Sequence, residues 1–412
     1  MSIKSKPSIN SIIVKLLQEP KYIFYIAYFI LIAAMSISIS TYEYTYGLET
    51  VLKLVRYVGY LLLAVKLFFL DDYDKKTMIK IFLIVALTVI CSFIEKNNTI
   101  LLTFLFIIGS RNVPLKNLIR FTLYIQMFFV VFIIGSDLVG IIPEWTYTTA
   151  DGVLRYSLGY IYTSHVSSIL FYIAIAYCYL RAEKLRLFEL VIIELVNIII
   201  FKYTNARTAF AFLLIAPLIF YFIRFYKRSL IKSKVISLLI IISMPLCALL
   251  SIVACYFYDP KNSIMLNLNQ YLSHRLELGH SALLKYGINI FGENIVWIGK
   301  AGLHHMFDQY PSQYNYVDCS YIKIMFDFGI ILLIIILCGY VLAAIKAVKE
   351  DEKYLCMAII MVAIYSIIEP RLIQVGYNPF LVLIAAIFGC SGSKQSNKLK
   401  EILNRVVKKI LK

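Results

Sequence analysis

Four arginines occupy unusual places in this sequence: Arg155 in GVLRYSLGY, Arg207 in TNARTAF, Arg275 in LSHRLELGH and Arg371 in IEPRLIQVGYNPF. A guanidinium stays charged at every relevant pH and presents a planar fork of donors that matches phosphate oxygens. Gathered in one place, the four would bind a polyanion such as a lipid-linked diphosphate. Scattered, each would pair with Glu369, Asp151, Glu277 or Asp318, or touch lipid headgroups. Groups able to take a proton from an attacking hydroxyl stand nearby in sequence: His274, His280 and Asp318. For His280, which Arg275 and Gly279 flank, a surface or core histidine is the ordinary alternative. Glu277, Tyr321 and Asn378 are further polar side chains that could contact a ligand. His304 and His305 have no third ligand at metal-binding spacing, so no metal or other cofactor is expected.

The elements that must position these groups are membrane spans. The chain has 412 residues, of which 61% are hydrophobic and 16% charged; soluble domains sit near 45–50% and ~25%. Its mean hydropathy is +0.79. Apolar runs approach or exceed the ~20 residues that cross a ~30 Å hydrocarbon core. They are continuous rather than alternating, which excludes a β-barrel. The expected fold is an all-α polytopic membrane protein of about twelve transmembrane helices, at about 22–40, 49–70, 78–94, 99–110, 117–142, 161–180, 187–204, 207–224, 235–256, 319–346, 353–369 and 376–390. The fourth is short, and KYTNAR between the seventh and eighth reads as a tight turn.

Charge supplies the orientation. Most of the 41 Lys and Arg residues fall before the first span, in alternate loops and in the tail, so by the positive-inside rule both termini are expected to be cytoplasmic. The net charge of +17 is therefore mostly a topology signal, and no nucleic-acid partner is implied. Residues 1–21 form an amphipathic N-terminal segment, since Ile9, Ile12, Ile13, Leu16 and Leu17 share a helical face. Residues 391–412 form a basic amphipathic tail suited to the anionic inner leaflet. The eight cysteines are scattered and form no CxxC or Cys/His pattern. Transmembrane segments 22–256 and 319–390 flank a large external loop, 257–318, whose apolar and aromatic content predicts partly helical order. On this topology the four arginines belong to the outer face, where arginines are scarce.

RYSLGY before a span, NARTAF opening a hairpin's second helix, SHRLELGHSALLKYGINIFGENI in the large loop, VDCSYIKIMFDFGI entering the tenth span and YNPFL at the twelfth follow in that order. Together they resemble the O-antigen and capsular-polysaccharide repeat-unit polymerases, the Wzy family, over roughly residues 150–390. The sequence departs from the family at Tyr162–His165, where a His-Pro-Asn-like step is common, and at Asp318–Tyr321, where Asp-Asn-x-Tyr is common. The resemblance implies a GT-C-like, metal-independent, inverting glycosyltransferase in a bacterial cytoplasmic membrane. Such an enzyme joins polyprenyl-diphosphate-linked oligosaccharide repeats at the outer face, alongside a flippase and a chain-length regulator. Arg155, Arg207, Arg275 and Arg371 would then hold the diphosphate, and His280 or Asp318 would accept the hydroxyl proton.

Rival readings are a lipid-linked-oligosaccharide flippase, a twelve-span carrier and an O-antigen ligase. No internal repeat favours the carrier, and the ligases' histidine with a glycine-rich stretch ending in Gly-Thr-Val is missing. Among charges inside the spans, Lys323 and Asp327 are spaced i, i+4 and expected to pair, whereas Arg56 lacks a local partner.

Overall fold

The computed structural model describes residues 19–149, 152–225, 233–299 and 314–389. Most of the N-terminal amphipathic segment, the basic tail, Asp151, His304 and His305 lie outside the described residues. Nearly every expected span corresponds to helix: α1 (Pro20–Ser38), α2 (Glu49–Val65), α3 (Lys75–Glu95), α4 (Thr99–Gly109), α5 (Leu115–Leu138), α6 (His165–Arg181), α7 (Leu187–Thr204), α8 (Arg207–Ile223) and α9 (Lys234–Tyr256). The large loop contributes α10 (Ser263–Tyr271) and α11 (Arg275–Tyr286), and α12 (Ser320–Phe328), α13 (Ile330–Lys349) and α14 (Lys353–Tyr365) follow. The fold is all-α, with a two-stranded hairpin, β1 (Thr146–Thr148) and β2 (Leu154–Tyr156), as its sheet among the described residues.

Among the described residues six helices are long and apolar enough to cross a membrane, and four more, including α4, α8 and α14, are apolar but shorter. Their outward faces are apolar too: Phe93 is 86% and Val131 72% exposed. A soluble protein rarely presents such contiguous apolar surface, and a lipid-facing surface requires it. The chain is a multi-pass membrane protein.

Three expected spans differ in form. The tenth is not continuous but breaks at Gly329 into α12 and α13. The eleventh stops at Tyr365 instead of 369, leaving residues 366–378 as a non-helical segment. The twelfth is a 3-10 helix, Pro379–Phe388, about 20 Å long at ~2 Å per residue, and is packed against α13. Its approach is permitted by Gly339, where a Cβ would lie 2.8 Å from the Ile384 Cα.

The break at Gly329 has a physical cause. The loop segment after α11 crosses the α12–α13 junction backbone to backbone. Glu293 N–H donates to the Phe326 carbonyl (2.9 Å) and Ile330 N–H to the Asn289 carbonyl (3.0 Å). Gly292 and Gly329 both have φ near +90°, and a Cβ on either would lie 2.2 Å from the opposing carbonyl oxygen, of Asp327 and Ile290 respectively. The large loop is thereby fastened to the bundle. Lys323 and Asp327 do pair (3.1 Å), and the Trp297 indole N–H donates to Asp327 at 2.6 Å.

Candidate functional site

Three helices begin at one cavity of about 700 Å³, within the range of ordinary ligand sites. His165 is the first residue of α6, Arg207 of α8 and Arg275 of α11, and all three line it. A helix N-terminus carries about half a positive charge and unpaired N–H groups, so it favours an anion. An arginine in that first turn works against the dipole by about 0.3–1 kcal/mol, a cost that an anionic occupant removes. Arg155 and Arg371 line the same cavity, so all four arginines of the sequence reading come together.

Each is positioned by local structure. Asn205 takes a left-handed conformation (φ 47°) that ends α7, and two residues later Arg207 starts α8, so KYTNAR is the tight turn its composition predicts. The β-hairpin pairs Arg155 with Tyr147, and Arg155 Nε donates to the Thr204 carbonyl at the end of α7 (2.6 Å). Burial holds Arg155 below its ordinary pKa, Tyr147 opposing this and the like charge of Arg207 adding to it. Glu144 fixes the chain after β2 by accepting from Ser157 N–H (2.8 Å) and Leu158 N–H (2.9 Å). Arg275 reaches Asp318 at 3.4 Å and donates to the Leu272 carbonyl at 3.1 Å. Arg371 donates to Gln374 Oε1 (2.8 Å) and lies over the Tyr377 ring at 4.4 Å. Burial pulls Arg371 down, but Tyr377, Tyr316 and Glu369 outweigh it and hold it above its ordinary value.

The arginines are under-satisfied. Arg207 is exposed to the cavity and makes no side-chain hydrogen bond or ion pair among the described residues. The Nε–H groups of Arg275 and Arg371 are buried with no acceptor among the described residues. Buried donors are nearly always paired, so these two are exceptions, and both belong to residues of the cavity wall. Among the described residues the carboxyls of the lining are Asp318 and Glu369, two against four guanidiniums. Burial pushes Asp318 above the usual carboxylate range despite the pull of Arg275 and then Arg371. Burial likewise raises Glu369 to about 7, with Arg371 opposing. Both remain in the cavity wall, and Asp318 keeps 29% of its side chain open.

The remaining sequence candidates fall elsewhere. His280 does not line the cavity; its Nδ1 is 2.9 Å from the Cys255 carbonyl. It stands five residues after Arg275 on α11, about 140° round the helix at 3.6 residues per turn, so it and Arg275 face different ways. His274 lines the cavity in its place, 3.2 Å from Glu277. Glu277 touches the site only through that contact and also accepts from Asn269 (3.2 Å). Tyr321 is buried, its hydroxyl donating to the Ala363 carbonyl at 2.8 Å. Asn378 is buried as the cap of the 3-10 helix, accepting from Phe380 N–H (2.9 Å) and donating to the Leu372 carbonyl (2.7 Å). Tyr321 and Asn378 are held by the protein itself and reach no part of the cavity.

The sequence reading gave no place in the site to Tyr147, Tyr314 or Tyr316, took Glu369 only as a pairing partner for an arginine, and met Tyr162 and His165 only as a departure from the family motif. One signal existed: Tyr314, Tyr316 and Asp318 alternate in an extended stretch, which puts them on one face. Comparison with known proteins yields no match to a family model, to a curated protein or to a solved structure.

Proposed function

We propose that this protein is a membrane glycosyltransferase that polymerises polyprenyl-diphosphate-linked oligosaccharide repeats into a surface polysaccharide. The observation carrying the reading is the convergence of Arg155, Arg207, Arg275 and Arg371 on one cavity at three helix N-termini. In this reading the termini are cytoplasmic, twelve segments traverse or enter the bilayer in a GT-C-like arrangement, and the cavity opens outward. A hydroxyl of the incoming repeat attacks the anomeric carbon of the nascent chain. The new glycosidic bond forms as the bond to the lipid diphosphate breaks, and the diphosphate leaves with the electron pair. Charge therefore gathers on the diphosphate in the transition state, and preorganised donors there are worth about 3 kcal/mol each. Asp318 takes the hydroxyl proton, being open to the cavity where His280 is not, and attack from the face opposite the leaving group inverts the anomeric centre. The tyrosines offer stacking faces for sugar rings.

The test is surface-polysaccharide length on a gel, in a deletion strain complemented at equal membrane expression. Single-repeat material from the deletion, from Arg207→Ala and from Asp318→Asn, with full-length chains from His280→Ala, supports the reading. Loss of all surface sugar with lipid-linked repeats accumulating inside makes the protein a flippase. Wild-type chains from Arg207→Ala remove the arginine site.

A further inference from the structure

Arg56 is a charge inside an apolar helix, and the site above does not use it. It lines a second cavity, of about 560 Å³, together with Lys53 from the same helix and Lys96 from the α3–α4 turn. None of these three cations makes a side-chain hydrogen bond or ion pair among the described residues, and Glu49 is the carboxylate in the lining. Lys96 is set there by a left-handed residue ending α3 (φ 59°), and Asn98 and Thr99 at the start of α4 bring a helix N-terminus to the same wall. Glu43 lies within electrostatic reach of Arg56, so three cations face the carboxylates of Glu49 and Glu43; the positive excess, beside a helix N-terminus, suits phosphate oxygens.

The rest of the lining mixes polar side chains, Ser38, Asn97, Thr103 and Gln374 among them, with apolar and aromatic ones such as Met35, Ile39, Tyr57 and Leu102. Beyond Tyr57 the outward side of α2 continues as Leu54 (60% exposed) and Leu61 (64%), a surface for lipid. The cavity thus joins a cationic end to the hydrocarbon-facing flank. A free anion would use only the first half; an amphiphile uses both.

The two cavities share a wall. Gln374 and Tyr377 line the second, and they are the residues that Arg371 of the first contacts. The wall is pinned from behind, since Gln126 Nε2 donates to the carbonyls of Gly376 (2.9 Å) and Tyr377 (3.0 Å). We infer that the Lys53–Arg56–Lys96 cavity binds the phosphate or diphosphate of a second membrane lipid, held side by side with the occupant of the arginine cavity. The inference rests on the membrane character of the chain, not on glycosyl transfer.

The experiment is native mass spectrometry of the full-length protein in detergent, with farnesyl diphosphate as the probe and farnesol and inorganic diphosphate as controls. Wild type should bind two farnesyl diphosphates. Lys53→Gln/Arg56→Gln should lose one with about a tenfold weaker second site, and Arg207→Gln should lose the other. Lys96→Gln, on an exposed turn, should weaken the same second site without risk to the fold. If wild type binds one and Lys53→Gln/Arg56→Gln binds none, the Lys53–Arg56–Lys96 site stands, while the arginine cavity and the side-by-side arrangement fail. Equal uptake by wild type and both basic-cavity variants overturns it. Occupancy of this site by inorganic diphosphate as strong as by farnesyl diphosphate also overturns it, leaving a free-anion site.

Discussion

Glu369 is a cavity residue whose ionisation is set by its surroundings. Its carboxyl stands at about 7 against an ordinary 4.5, because burial outweighs Arg371. Between those values the folded protein holds a proton that the unfolded chain releases, so stability falls as pH rises from about 4.5 to about 7. Thermal unfolding of the detergent-solubilised protein should therefore show a higher Tm at pH 5 than at pH 7.5, and Glu369→Gln should flatten that slope. An unchanged slope would mean that Glu369 is already ionised in the fold. Spacing alone could not reveal this carboxyl as part of the cavity, for IEPR reads equally well as a simple Glu–Arg neighbour pair. His280 lies off the cavity for the converse reason: flanking residues suggested a role, but the 3.6-residue period of α11 turns it towards Cys255. Tyr321 and Asn378 looked available because a sequence does not show which backbone carbonyls need donors.

At the scale of elements, hydropathy and turn chemistry revealed most of what was needed. The α7–α8 hairpin was legible from KYTNAR, and with it the position of Arg207 at a helix start. The break between α12 and α13 was not, because a single Gly in an apolar run does not announce that another strand of backbone passes over it. That crossing makes a sharp comparison. Gly292→Ala meets the Asp327 carbonyl at 2.2 Å at a positive φ, whereas Gly287, also at positive φ, has nothing within 4 Å. Both substitutions incur the strain of a non-glycine residue there, of order 1–3 kcal/mol, and only Gly292→Ala adds the clash. Gly292→Ala should therefore lower Tm far more than Gly287→Ala, or prevent folded protein from accumulating. Equal shifts would show that the loop does not rest on the junction.

For the molecule as a whole, the sequence carried the broad architecture because lipid demands apolar helices and tolerates little else. It carried the convergence of the arginines because they sit at the ends of helices, and a bundle brings ends together. The tyrosine lining and the second basic cavity are products of packing among distant segments, which periodicity cannot reach. The positions of Arg207 and Arg275 at helix starts, with Arg155 beside Arg207, have one more consequence. That rim concentrates like charge against like charge, so any suitable anion relieves repulsion as well as adding contacts. A ligand at a hundred times its Kd stabilises a protein by about 2.7 kcal/mol. Melting temperature can thus act as a chemical sensor: a panel of prenyl phosphates, nucleotide sugars and phospholipids could be ranked by how far each warms the unfolding transition, before any reaction has been observed.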